Sequence, residues 1–162
     1  MSNLIKNSLL LFLLFGLLVA IGCKSTPPES LDPKEVSWQT YSNSEIGVSL
    51  NYPDVYTLNE ESDGRGVIFR HKGKSALLLR FMDEEESKHR GLWFGYKPHA
   101  EIELGGRKGL KYDYRHGDGP FLSRTVSYVV EYRDKYLGLE FRTDNPDLDE
   151  VQQKVLSSFR FL

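Results

Sequence analysis

One cysteine, four histidines and 23 acidic side chains are the groups with which this chain of 162 residues could do chemistry. A thiolate is a nucleophile and a soft metal ligand, but Cys23 stands alone, so neither an internal disulfide nor a multi-cysteine zinc set can form. No two of His71, His89, His99 and His116 are three to five positions apart, so they read as surface or turn histidines. The run Asp83-Glu84-Glu85-Glu86 lacks the alternating Asp/Asn and central glycine of a calcium loop and is followed by Lys88 and Arg90, which reads as a solvated charged turn. Gly105-Gly106-Arg107-Lys108-Gly109 has the glycines of a phosphate cradle. It lacks both the GK[ST] ending and a helix pattern after it, and a hairpin turn is expected there. Ser123 and Ser127 lie in a strand pattern without a G-x-S-x-G elbow, and no carboxylate pair stands out from the rest. No catalytic motif emerges, and no metal or other cofactor is expected.

The position of Cys23 gives the thiol a different use. A short n-region with one positive side chain, Lys6, precedes an apolar run from Ser8 to Gly22, below the ~20 residues of a spanning helix and suited to a secretory h-region. The run ends Leu18-Val19-Ala20-Ile21-Gly22-Cys23. That ending resembles the lipobox of bacterial lipoproteins. The resemblance implies cleavage between Gly22 and Cys23 and a diacylglyceryl group on the Cys23 thiol. Buried acyl methylenes contribute ~0.8 kcal/mol each, so the acyl chains of a lipoprotein hold it at a membrane without help from the domain. Lys24, where an Asp would signal inner-membrane retention, implies the outer membrane on the same resemblance.

Loss of residues 1–22 removes Lys6 and no acid, leaving 20 basic against 23 acidic side chains, a formal charge of −3. A near-neutral chain without a basic block is poorly suited to nucleic acid. Lys24 to Glu35 carries three prolines and reads as an extended tether of ~3 Å per residue. The expected organisation is a signal peptide over 1–22, a lipidated cysteine and tether over 23–35, and one globular domain over 36–162.

Within that domain the pattern is mostly strand. Val48 to Tyr52 alternates and stops at Pro53. Val67 to His71 and Ala76 to Met82 flank a turn at Gly73, and Ile102 to Leu104 and Leu110 to Tyr114 flank Gly105-Gly106, so two hairpins are predicted. Phe121 to Tyr132 and Tyr136 to Phe141, joined by Arg133-Asp134-Lys135, are expected to be the central pair of the sheet. Leu148, Val151, Val155 and Leu156 then fall on one helical face, with Asn145 as the expected cap and Pro146 in the first turn. Phe159-Arg160-Phe161 can form a strand only by pairing with a sheet edge. Asp83 to Pro98 gives no decisive pattern.

The order of "YSNSEIGVSLNYP" (Tyr41 to Pro53), "GGRKGLKYDY" (Gly105 to Tyr114), "YVVEYRDKYLGLEF" (Tyr128 to Phe141) and the closing helix into "SSFRF" resembles the PsbP-like domain family. That family is named for an extrinsic subunit of photosystem II and includes small bacterial lipoproteins. The resemblance implies an α+β fold, an antiparallel β-sheet with packed helices in an α/β/α sandwich, with a C-terminal helix followed by a short strand. It also implies an accessory role on a membrane-associated assembly and transfers no catalytic residue.

Trp93, Phe94 and Tyr96 place three large aromatics in four positions, which cannot all face one side of a strand, so an interface role is considered for them beside a core role. The leading expectation is a lipid-anchored, non-catalytic envelope module that binds a protein assembly or an envelope component. The alternative is an envelope hydrolase whose site no short motif reveals.

Overall fold

Three two-residue turns set the register of the strands. Lys72-Gly73 (φ 50° and 77°), Gly105-Gly106 (57° and 83°) and Arg133-Asp134 (52° and 61°) each hold both residues in the left-handed region, the turn whose twist matches that of paired strands. The computed structural model describes residues 31–61, 64–90, 92–116 and 123–162. Gly22, Cys23 and the predicted signal segment lie outside them.

The strands are β1 (Trp38–Asn43), β2 (Val48–Pro53), β3 (Thr57–Glu60), β4 (Gly66–His71), β5 (Lys74–Met82), β6 (Ala100–Leu104), β7 (Arg107–His116), β8 (Ser123–Tyr132), β9 (Lys135–Arg142) and β10 (Arg160–Phe161). Helices α1 (Glu84–His89) and α2 (Glu150–Ser158) complete the set, with a 3-10 turn at Trp93–Gly95. All the pairings are antiparallel. They make two sheets where the sequence suggested one: β3-β4-β5-β9-β8-β7-β6, with β9 and β8 inside it as expected, and a separate β1-β2-β10.

Alternation along the central strands creates two different faces. Leu77 and Leu79 of β5, Leu137, Leu139 and Phe141 of β9, and Val126, Tyr128, Val130 and Tyr132 of β8 form one core with Tyr41, Val48, Leu50 and Tyr52 of the small sheet. Leu148, Val155 and Phe159 bring α2 and its flanks into the same core. Each such aliphatic or Phe side chain, fully buried, stabilises the fold by ~1.5–3 kcal/mol before entropy is counted. The opposite face carries a second, smaller cluster of Met82, Leu92, Trp93, Tyr112, Tyr114 and Val129.

Several local expectations change. The acidic run is the first turn of α1: the Asp83 side chain accepts from the Glu86 N–H at 2.7 Å, and Glu84 to Glu86 then sit at the positive end of the helix. The C-terminal helix keeps its predicted buried face but starts later, at Glu150. There Asp149 and Gln152 cap each other's backbone N–H groups, satisfying two orphan donors where Asn145 could satisfy one. Asp32 to Glu35, expected as extended tether, closes a turn through Glu35 N–H to Asp32 O at 3.1 Å. His71 is a buried residue, its ring 5.8 Å from that of Tyr56. Among the described residues no helix is long and apolar enough to cross a membrane, and no group of His, Cys, Asp and Glu is arranged to hold a metal ion.

Candidate functional site

The face away from the small sheet holds charge where its neighbours are apolar. Residues directly opposite in the ladders share a side, which aligns Arg80 with Gly138, Leu78 with Glu140 and Ser127, and Arg142 with Thr125. Glu140 is thereby placed in mid-sheet with 1% of its side chain exposed, and the Arg80 guanidinium, 17% exposed, approaches it with Nε 3.5 Å from Oε1. A second acid, Glu61, lies 3.8 Å from the other side of Arg80.

The segment after α1 closes the site. Ser87, fully buried at the end of that helix, accepts the Leu92 N–H on its carbonyl at 2.9 Å and the Phe94 N–H on its hydroxyl at 3.1 Å. This folds 92–96 back onto the sheet. Trp93 then packs against Gly138, so close that a Cβ there would fall 2.0 Å from the indole. Only glycine admits the ring. Phe94 packs against Tyr136 and Tyr112 at 4.5 and 5.9 Å between ring centroids, and Tyr96 stacks on Tyr114 at 4.5 Å.

The three sequence candidates therefore come together on one side, because they occupy a 3-10 turn with an extended exit where a strand's alternation does not apply. Trp93 has 0% exposure and is a core residue, which corrects its consideration as an interface residue. Phe94 and Tyr96 are half-buried.

Burial dominates the electrostatics. It raises the Glu140 pKa above the ordinary carboxylate value, against the opposing pull of Arg80, Arg142 and the nearby Trp93 indole. It lowers the Arg142 pKa against the attraction of Glu140, and raises the Tyr114 phenol well above its usual range. The indole N–H is near enough to favour the ionised carboxylate, yet neither Trp93 Nε1 nor either oxygen of Glu140 completes a hydrogen bond of good geometry. Thr125 Oγ1 is likewise buried without one, while Ser127 donates to the Tyr114 hydroxyl at 3.4 Å. Such a cluster can fix strand order and hold the aromatic segment in place. A carboxylate sealed under an indole is out of reach of a solvent-borne substrate.

Of the other sequence candidates, Gly105-Gly106 is a hairpin turn, and Ser123 and Ser127 lie on β8. Arg80, Glu140 and Arg142 were missed. Their signal was a charge at an alternating position inside "ALLLRFM" and "YLGLEFR", a pattern that also describes a solvated strand face.

No family model matches the chain, and no curated protein matches it. Among solved structures, the solution structure of cyanobacterial PsbP (CyanoP) from Synechocystis sp. PCC 6803 matches with a TM-score of 0.53 and 17% identity, over 83% of this chain and 98% of that one. The fold is PsbP-like. A crystal structure of a protein from Bacteroides thetaiotaomicron VPI-5482 matches with a TM-score of 0.53 and 9% identity over 76% of this chain, which spans 48% of that protein's length. At these identities the likeness is one of fold, and the PsbP-like fold here carries a charged cluster closed by its own aromatic segment.

Proposed function

We propose that this chain is a lipid-anchored protein of the cell envelope whose PsbP-like domain is a non-catalytic binding or accessory module for a protein assembly or an envelope component. The observation that carries the non-catalytic reading is the closure of the Glu140 cluster: its acid is 1% exposed and its lid, Trp93, 0%. General acid or base work needs the acting group within hydrogen-bond reach of a substrate. The packing of α2 on one face of the large sheet and of residues 92–96 on the other supports reading the domain as an α/β/α sandwich.

The anchor reading rests on sequence. Cleavage after Gly22 leaves Cys23 first, its acyl chains hold the membrane, and Lys24 favours the outer membrane over the inner. A formal charge of −3 on the mature chain leaves nucleic acid out of the partner set. Cys23→Ala is expected to move the protein out of the membrane fraction or to block its processing. Retention of a processed Cys23→Ala chain with the membranes contradicts the anchor, and co-fractionation of the native chain with inner-membrane markers contradicts the localisation.

A further inference from the structure

The strands meet again at the far end of the β1–β2 hairpin, where a cavity of about 220 Å³ opens between that hairpin and the β8–β9 turn. Its apolar wall is Ile46, Phe81 and Tyr132. Arg65, Arg133 and Lys135 supply positive charge around it, and among the described residues Glu45 is the one acid in the lining. Arg65 is bound through NH1 to both oxygens of Glu86, at 2.8 and 2.9 Å. Arg133 donates to the backbone carbonyl of Glu45 at 2.7 Å and lies over the Tyr132 ring at 5.0 Å. Among the described residues neither Arg133 nor Lys135 forms an ion pair. Arg65 is thus engaged by Glu86, which it shares with Arg90, and Arg133 and Lys135 remain as positive groups of the described lining.

The backbone holds this arrangement at a cost. Arg133 sits at φ 52°, a conformation that side-chain-bearing residues avoid. Gly47 makes room for it: a Cβ there would fall 2.3 Å from the Tyr132 hydroxyl and 2.7 Å from the Arg133 guanidinium.

Size and direction narrow the occupant. Sites that enclose a whole small-molecule ligand run to roughly 300–1,000 Å³, so this cavity suits one side chain of something larger. β1 runs from Trp38 towards it, and the chain enters β1 at the opposite end. The cavity therefore lies the ~20 Å length of a six-residue strand from the point where the chain enters β1.

We propose that this cavity is where the module docks its partner protein, and that it takes one apolar side chain from a segment whose neighbouring carboxylate meets Arg133 and Lys135. The proposal rests on the binding-module reading and adds to it the site and the chemistry of the partner.

The test titrates the isotope-labelled full chain, in micelles, with amidated hexapeptides that place Leu or Phe between two Glu residues, and with the same peptides carrying Lys for Glu. The acidic peptides are expected to shift the amide signals of Ile46, Phe81 and Tyr132, and the basic ones are not. Affinity is expected to drop about tenfold or more in Lys135→Glu and in Arg133→Gly, as loss of a charge-assisted contact implies, and several-fold when salt is raised to about 0.5 M. Arg133→Gly relieves the left-handed turn but also removes the contact with the Glu45 carbonyl, so unchanged amide signals away from the cavity are required of each variant before a loss of binding counts. Equal affinity in native and variant chains, shifts centred elsewhere, or equally tight binding of N-acetyl-leucine as a free small acid each overturn the proposal. Co-purification of an envelope protein with native and variant chains alike removes the cavity and leaves the binding-module reading standing. No co-purifying protein removes that reading and the docking site with it.

Discussion

Glu140 shows how far one side chain can set a protein's response to pH. Burial raises its pKa above the ordinary 4.5, so between that value and the raised one the folded chain binds more protons than the unfolded chain. The contribution of this group to stability is therefore fully present below about pH 4.5 and is lost as pH rises through the raised value. Asp113 works the other way. The Arg124 guanidinium, with Nε 2.7 Å from its carboxylate, lowers its pKa, so its contribution is present above its ordinary 3.8 and is lost as pH falls through the lowered value. Comparison with Glu140→Gln isolates the first effect, because Asp113 is common to both chains. The Gln variant is expected to melt higher than the native chain at neutral pH and to converge with it below about pH 4.5. A variant that melts lower at pH 7 and higher at pH 4 contradicts the raised pKa.

At the scale of elements, the joint between β9 and the 92–96 segment is the one most exposed to a single methyl group. Gly138→Ala forces the indole of Trp93 off the sheet, and overpacking of this kind destabilises by ~1–3 kcal/mol. Urea unfolding followed by Trp fluorescence is expected to show the lowered midpoint together with a changed native emission. An unchanged native emission contradicts this packing. The same segment marks where the sequence was legible and where it was not. The hairpins at Gly73 and Gly105-Gly106 and the buried face of α2 could be read because turn chemistry and periodicity are local signals. α1 has no apolar stripe; it rests on the Asp83 cap and on the ion pairs of Glu86 with Arg65 and Arg90, one of which comes from a distant loop. β3 alternates weakly and is held by β4, whereas the Arg133-Asp134 turn could be read between its two strand patterns although it carries neither Gly nor Asn. The candidate site was half legible: the aromatics Trp93, Phe94 and Tyr96 stood out, while the acid beneath them could not be told from a solvent-facing residue until the other face of the sheet was known to be covered.

On the scale of the whole molecule, the two sheets divide the labour. The small sheet and α2 bury one face of the large sheet with aliphatic and aromatic side chains, and the other face is closed by the turn that follows α1. An open cavity lies at the ends of the strands, where the β1–β2 and β8–β9 turns meet away from the point of entry of the chain. At that end Arg133 and Lys135 are exposed, while Glu140 is buried in mid-sheet. The most direct measurement is affinity purification of the full-length chain from detergent-solubilised envelope, with mass spectrometry of what accompanies it and an assay of envelope-substrate hydrolysis on the same preparation. The account predicts a partner recovered at near-stoichiometric amount, in equal yield with Glu140→Gln, and no turnover above that of a mock purification. Hydrolysis that disappears in Glu140→Gln, with no partner recovered, would contradict it.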